Sequence, residues 1–294
     1  MSAEGLTMQW VVLTRGDRPA EVRAALDSVV AQSAGHTQGT LSAAIVLANG
    51  CASPDVTDMP DVRVTTTDEN LGVPGGRHAA IQLSDSDVVG FLDDDAIVGF
   101  GANKRIVEAF TTDPDLGAVA LRLADEDGNT ARRHHPRVGD RPLKQSREVT
   151  LFLGGACALR REAYDSVGGY FTELFYGHEE LELSWRLIDA GWKIQYLDDV
   201  RVTHPKTNIS RHSDGWRLTG RNRVWIARRT LPWPIAFVHV STWLVGGMIR
   251  APRGACRRAY LDGWFDGWRK QIKRRPIRWT TVWKLTRLGR PPLI

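Results

Sequence analysis

The sequence predicts an α/β fold with a mostly parallel central sheet covered by helices on both faces, followed by a helical C-terminal extension. Three observations carry this reading. Short apolar runs alternate with stretches of helical spacing over residues 8–203, polar residues gather directly after the apolar runs, and residues 250–294 turn basic and tryptophan-rich.

The first apolar run is Met8–Thr14 (MQWVVLT), which ends in the loop Arg15-Gly16-Asp17-Arg18-Pro19. Val22, Leu26, Val29 and Val30 then recur at helical spacing. Further strand-like runs are Ala43–Ala48, closed by the turn signal Asn49-Gly50, then Val62–Thr66 and Val88–Leu92; a helix-like stretch, Pro74–Leu83, lies between the last two. Ligands of such sheets bind beyond the carboxyl ends of the strands, so the loops 14–18, 49–50 and 93–95 are expected to converge on one crevice.

Asp125–Arg147, with Arg132, Arg133, His134, His135 and Arg137 close together, reads as a mobile loop. Leu153–Leu159 (LGGACAL) reads as a buried strand whose glycines permit close backbone approach. A helix over Arg161–Val167 follows, stopped by Gly168-Gly169. Glu179–Ala190 is amphipathic, with Leu181, Trp185 and Ile188 on one face and Gly191 at its end.

The 294 residues exceed one usual core, so a main domain at 1–210 and an extension at 211–294 are expected. The three cysteines, Cys51, Cys157 and Cys256, are widely separated and odd in number, which excludes a disulfide framework and a Cys-x-x-Cys zinc site. With no basic residue or apolar run in Met1–Gln9, the cytoplasm is the expected compartment.

Asp93-Asp94-Asp95 follows the apolar run VVGFL, so three carboxylates crowd the end of a buried strand and need a counter-charge. A divalent cation, Mg or Mn, would supply it, sharing its coordination with substrate phosphates; an unliganded acidic turn is the plain alternative. Glu179, Glu180 and Glu182 open a helix whose dipole favours carboxylate, a placement that suits a general base and that helix-start electrostatics also explains. His204 lies in a loop before Pro205, where its imidazole could reach a metal or serve structure alone.

The joint order of these pieces resembles the family 2 glycosyltransferases of the GT-A, nucleotide-diphospho-sugar transferase fold. The matching segments are VVLTRGDRPAEVRAALDSVVAQ, ENLGVPGGRHAA, FLDDDA, GGACALRREAYDSVGGYFTELFYGHEELELSWRLIDAGW and VTHP, covering roughly Gln9–Pro205. The resemblance implies a three-layer sandwich with a nucleotide-sugar part near 1–98 and an acceptor part near 99–210.

The resemblance further implies an inverting hexosyl transfer from a nucleotide-diphosphate sugar, UDP- or dTDP-linked, to an acceptor hydroxyl of a glycan, lipid-linked or small molecule. Asp93 and Asp95 stand at the outer places of the family's Asp-x-Asp element, with Asp95 the direct metal ligand, Asp93 nearer ribose and diphosphate, and Asp94 between them. His204 matches a histidine that completes the metal site in some relatives. Glu180 takes the place of the catalytic base, with Glu179 before it. Thr14, Arg15 and Arg18, together with Asn49, fall in loops that meet the nucleotide, and Gly75, Gly76 and Arg77 in the segment that meets base or diphosphate.

Two departures stand out. Ala48, not an acid, precedes Asn49, so a common base contact is missing. Glu180 replaces the commoner Asp, which lengthens the base by one methylene. Thr172–Tyr176 and Trp185 are candidates for stacking a sugar, with core packing the alternative for Trp185.

Arg250–Ile294 holds 13 Lys/Arg against Asp262 and Asp266, a local balance of +11 that leaves −6 on the rest. Leu231–Ile249 is apolar but interrupted by Pro232, Pro234 and His239, too short to span a bilayer comfortably. Tyr260, Trp264, Trp268 and Ile272 recur every four residues among Arg and Lys, which predicts a basic amphipathic helix on an anionic membrane surface, at the inner face of the cell membrane. Packing on the catalytic domain or in a homodimer is the alternative.

A membrane-docked enzyme favours a cell-envelope glycan or glycolipid acceptor, a soluble one a small metabolite. A nucleotidyltransferase is disfavoured because Gly72–Arg77 has no Lys. A non-catalytic nucleotide-sugar scaffold is disfavoured by the intact acids, and nucleic-acid binding by the lack of any recognition motif.

Overall fold

The computed structural model describes residues 5–32, 41–131, 134–135, 146–205 and 215–293. The elements run β1 (Met8–Thr14), α1 (Pro19–Val30), β2 (Ala44–Asn49), β3 (Val62–Thr67), α2 (Gly72–Ile81), β4 (Val88–Asp93), β5 (Ile97–Val98), α3 (Ala102–Thr112), β6 (Leu116–Ala124) and β7 (Arg147–Glu148). Then come β8 (Ala156–Arg160), α4 (Arg161–Ser166), a 3-10 turn at Thr172–Leu174, α5 (Glu179–Asp189), β9 (Lys193–Thr203), α6 (Gly215–Thr230), α7 (Trp233–Arg250), α8 (Ala255–Arg269) and α9 (Trp279–Arg287).

The strands form one mixed sheet in the order β3-β2-β1-β4-β8-β6-β9-β5, with β7 on β9. β1 to β4 are mutually parallel, and β8 runs antiparallel to both β4 and β6. Because β1 and β2 are buried along almost their whole length, they read as continuous apolar runs rather than alternating ones, as a sheet covered on both faces requires. Along β1, Trp10 and Val12 join the core under α1 and α3, while Val11 joins the core shared with α2, α5 and the C-terminal helices. Gly90 makes room for this layer: a Cβ there would lie 2.6 Å from the Trp10 ring.

Register places the site. Leu13 pairs with Asp93 and Thr14 with Ala48, so β1, β2 and β4 end level and their loops leave the same edge, as the sequence predicts. The carboxyl end of β9 is brought alongside by its parallel pairing with β6, which ends on Ala124↔Thr203. Neither α3 nor β6 stands out in the sequence reading. In the Asp125–Arg147 loop, 132–133 and 136–145 lie outside the described residues.

The tail departs from expectation. Gly220 on α6 and Gly263 on α8 remove the side chains that would hold these helices apart; a Cβ on Gly263 would lie 1.9 Å from the Arg217 carbonyl oxygen. The helices therefore touch backbone to backbone, and the aromatic stripe of α8 turns inward. Tyr260 is fully buried, Trp264, Trp268 and Ile272 pack on the core, and Arg228 sits over the Trp268 ring. The stripe predicted to meet a membrane is core instead.

Outward apolar side chains are Trp233, Phe237, Val245 and Ile249 on α7, Trp279 and Trp283 on α9, and Phe265 on α8 itself. Among the described residues, no helix is long and apolar enough to cross a membrane.

Candidate active site

At the carboxyl end of β4, Asp93 and Asp95 meet His204 from the end of β9. His204 Nε2 lies 3.0 Å from Asp95 Oδ1 and 3.8 Å from Asp93 Oδ2. Its backbone N–H donates to the Ala124 carbonyl at 2.9 Å, which fixes the chain beside β6. Its Nδ1 is 2.8 Å from the Pro205 carbonyl, so the Nδ1–H donates there and Nε2 faces the acids. One donor atom from each of the three lies within 4.8 Å of the others. Two carboxylate oxygens and an imidazole nitrogen, the donors grouped here among the described residues, suit a divalent cation that keeps positions open for water and phosphate.

Arg18, at the foot of α1, is ion-paired to Asp95 and lies 3.5 Å from Asp94 Oδ1. Burial works against the Asp95 charge, yet His204 and Arg18 together hold that carboxyl below its ordinary value. Burial pushes the Asp94 carboxyl up to about 6, against the Thr14 hydroxyl and Arg18. Burial opposes the imidazolium of His204 too, but the hydrogen bond and charge of Asp95 prevail and raise it. Arg18 and His204 thus stand where a cation would compensate the acids.

Arg77 of α2 reaches under the same carboxylates. It donates to Asp93 Oδ1 at 3.1 Å and to Glu179 Oε1 at 3.3 Å, and lies 3.6 Å from Glu180 Oε1. The two glutamates differ in access: the side chain of Glu179 is 3% exposed, that of Glu180 22%. Burial drives the Glu179 carboxyl well up, with Glu180 adding to the shift and Arg77 opposing it. Glu180 also accepts the Gly154 N–H at 3.1 Å.

Gly154 and Gly155 lie against the site's side chains and enter no residue list drawn from the sequence, although close approach was legible in LGGACAL. A Cβ on Gly155 would lie 1.9 Å from Asp93 Oδ2, and one on Gly154 2.0 Å from Arg77 Nη1.

Other expected contacts resolve differently. Asn49 spends its amide on the loop before α2: Nδ2 donates to Asn70 Oδ1 and to the Gly72 carbonyl, and Oδ1 accepts the Leu71 N–H. Gly75 and Gly76 are buried within α2, where a Cβ on Gly76 would lie 2.5 Å from the Leu13 side chain. Arg77 faces the acids. Thr14 is buried and bonded to the Gly16 N–H, while Arg15 is exposed.

Trp185 is core, 2% exposed, with its ring edge-on to His239, so it offers no sugar-stacking face. Phe175 and Tyr176, each 39% exposed, do present aromatic surface beside Glu180. Phe175 and His178 take φ values of 63° and 72°, the left-handed region that side chains avoid. Asn222 of α6 holds that loop, donating to the carbonyls of Leu174, Tyr176 and Gly177 at 2.9–3.0 Å.

The model of the family described as "Glycosyl transferase family 2" matches residues 11–168, more than half of the chain. The chain belongs to glycosyl transferase family 2. The matched stretch of this family 2 protein contains Arg18, Arg77 and the Asp93–Asp95 acids and ends before Glu180.

A pre-mycofactocin glycosyltransferase of Mycobacterium tuberculosis is 28% identical over 174 residues, covering 54% of this chain; the match spans only 37% of that relative. An N-acetylglucosaminyl-diphospho-decaprenol L-rhamnosyltransferase of the same organism is 25% identical over 245 residues, 70% of this chain and 76% of the relative. Among solved structures, GalNAc-T7 with UDP, GalNAc and Mn2+ superposes with a TM-score of 0.63 at 15% identity, over 89% of this chain and 55% of that one. The fold is GT-A.

Proposed function

We propose that this family 2 protein is an inverting, metal-dependent glycosyltransferase that moves a sugar from a nucleotide-diphosphate donor, UDP- or dTDP-linked, to an acceptor hydroxyl in cell-envelope glycan or glycolipid synthesis. The observation that carries it is the convergence of Asp93, Asp95 and His204 with the more exposed Glu180, Arg77 bridging Asp93 and Glu180.

Asp95, Asp93 and His204 would hold Mn or Mg, which when bound neutralises charge developing on the leaving nucleoside diphosphate. Arg18, displaced from Asp95, is then free to meet a phosphate oxygen. Glu180 accepts the proton of the acceptor hydroxyl as that oxygen attacks the anomeric carbon from the face opposite the leaving group. The C–O bond to the diphosphate breaks as the new glycosidic bond forms, which inverts the centre. Glu179, buried on Arg77, positions that guanidinium rather than exchanging protons with substrate.

A lipid-linked acceptor is supported by the rhamnosyltransferase relative, whose name specifies a diphospho-decaprenol substrate. It is supported too by the outward apolar side chains of α7 and α9 in a region carrying +11, which suit the anionic cytoplasmic face of a membrane. The chain divides in this reading into a donor part at 1–98, an acceptor part at 99–210 and the docking extension at 211–294.

The test is transfer from UDP- and dTDP-sugars to a short-chain polyprenyl-diphosphate-linked sugar, with the product anomer read by NMR. An inverted product whose formation requires Mn or Mg and falls about 10²–10⁴-fold in Glu180→Gln supports the proposal. A retained anomer, or full rate in the variant, contradicts it.

A further inference from the structure

Most buried arginines of this fold are matched by carboxylates: Arg77 by Asp93 and Glu179, and Arg186 by Glu182. Arg223 of α6 is not. It is 7% exposed, its Nε and Nη1 are buried without a hydrogen-bond partner, and no ion pair to it exists among the described residues. Its close neighbour is the Trp243 ring of α7, whose centroid lies 3.5 Å from the guanidinium carbon.

The groups around Arg223 add positive charge. Arg290 has its Nε buried and unpartnered, and His239 its Nε2, while His239 Nδ1 is held by the Pro292 carbonyl at 2.7 Å. Burial depresses the Arg223 guanidinium; Tyr260 opposes that, and Arg290 and Arg250 add to it. Burial also depresses His178, with Arg223, His239 and Arg290 pushing the same way. A buried charge without a partner is a large destabilising element, and here two guanidiniums lie with a neutral imidazole, and no acid pairs with Arg223 or Arg290 among the described residues.

We propose that Arg223, Arg290 and His239 form a binding site for a diphosphate group, completed by the anion that the fold itself does not supply. Two guanidinium forks suit phosphoryl oxygens better than an ammonium would, because each can donate two parallel N–H bonds. The location ties the site to the acceptor side. Asn222, next to Arg223, holds the carbonyls of Tyr176 and Gly177, directly ahead of His178 and the acids Glu179 and Glu180. The outer face of α7, opposite the buried His239, exposes Phe237, Val245 and Ile249, so the helix that supplies one donor of the site also carries apolar surface. A diphosphate carrying an apolar chain matches both.

The diphosphate chemistry stands independently of glycosyl transfer; only its assignment to the acceptor rests on that reading. The experiment is thermal stabilisation by inorganic pyrophosphate and by farnesyl diphosphate in EDTA, which disables the cation site. The wild-type protein is expected to gain at least about 3 °C at saturation. Asp95→Asn keeps the gain, and Arg223→Met and Arg290→Met lose it. Without ligand, Arg223→Met is expected to melt no lower than wild type, since it removes an unpaired buried charge.

A larger shift with farnesyl diphosphate assigns a lipid-linked diphosphate, and equal shifts assign a free one. No shift in the wild-type protein, a shift that needs metal, or one unchanged in both arginine variants overturns the proposal. Failure of the transferase reading would appear elsewhere, as absent metal-dependent nucleotide binding.

Discussion

One guanidinium ties the end of β4 to the start of α5: Arg77 donates to Asp93 Oδ1 at 3.1 Å and to Glu179 Oε1 at 3.3 Å. Both ends of that link are acids of the site, and its centre is buried.

Arg77→Met therefore leaves Glu179 without its counter-charge. The expected loss of stability in urea unfolding at pH 9, above the raised Glu179 value of about 8, is about 3–5 kcal/mol, the cost of breaking a buried pair from one side. The double variant with Glu179→Gln is expected to recover part of it, because the orphaned charge is gone. Equal loss in single and double variants would show that Arg77 acts through packing instead.

His204→Ala removes one of three cation donors and is expected to weaken Mn binding at least about tenfold, measured by titration with a nucleoside diphosphate present. The pH dependence has a definite sign. Asp95 raises the His204 imidazole, and metal must displace the proton, so Mn affinity in the wild-type protein falls as pH drops through that raised value. His204→Ala flattens this dependence.

Gly155→Ala puts a Cβ 1.9 Å from Asp93 Oδ2. Either Asp93 or the start of β8 must move, at a cost of about 1–3 kcal/mol. The expected result is a folded protein by circular dichroism that has lost metal-dependent nucleotide binding.

His239 is fully buried, and burial together with Arg223 pushes its imidazole down to about 3. Since the folded value lies below the unfolded one, near 6.5, the unfolded chain binds the extra proton between pH 3 and 6.5. The stability from neutral His239 is complete above about 6.5 and is lost as pH falls, at up to about 1.4 kcal/mol per pH unit. Unfolding of the ligand-free protein at pH 5 and pH 7 is expected to differ less in His239→Gln than in wild type.

The sheet was legible because its strands are local apolar runs with polar ends, and β1 matches its expected bounds residue for residue. The acids at Asp93–Asp95 were legible as clustered charge after an apolar run, and Glu179–Glu180 as acids that open an amphipathic helix, both local signals. Long-range partnership was not. Nothing near Arg77 in sequence indicates that it turns to Glu179, or that Asn49 is consumed by the loop at 70–72.

The tail misled because periodicity identifies a helix face but not what covers it. Tyr260, Trp264 and Trp268 form a stripe that would suit a membrane, and Gly220 and Gly263 bring α6 onto it. The apolar surface left outside, on α7 and α9 with Phe265 of α8, could be recognised only once α8 was placed.

The central claim is a cation-assisted donor site at Asp93, Asp95 and His204 that is separate from the base, Glu180. Calorimetric titration of UDP and dTDP, with and without Mn, into wild type, Asp95→Asn and Glu180→Gln tests it most directly. The account predicts Mn-dependent binding of one nucleotide by wild type and Glu180→Gln, and none by Asp95→Asn. Binding that ignores Mn, or that survives in Asp95→Asn, would contradict it.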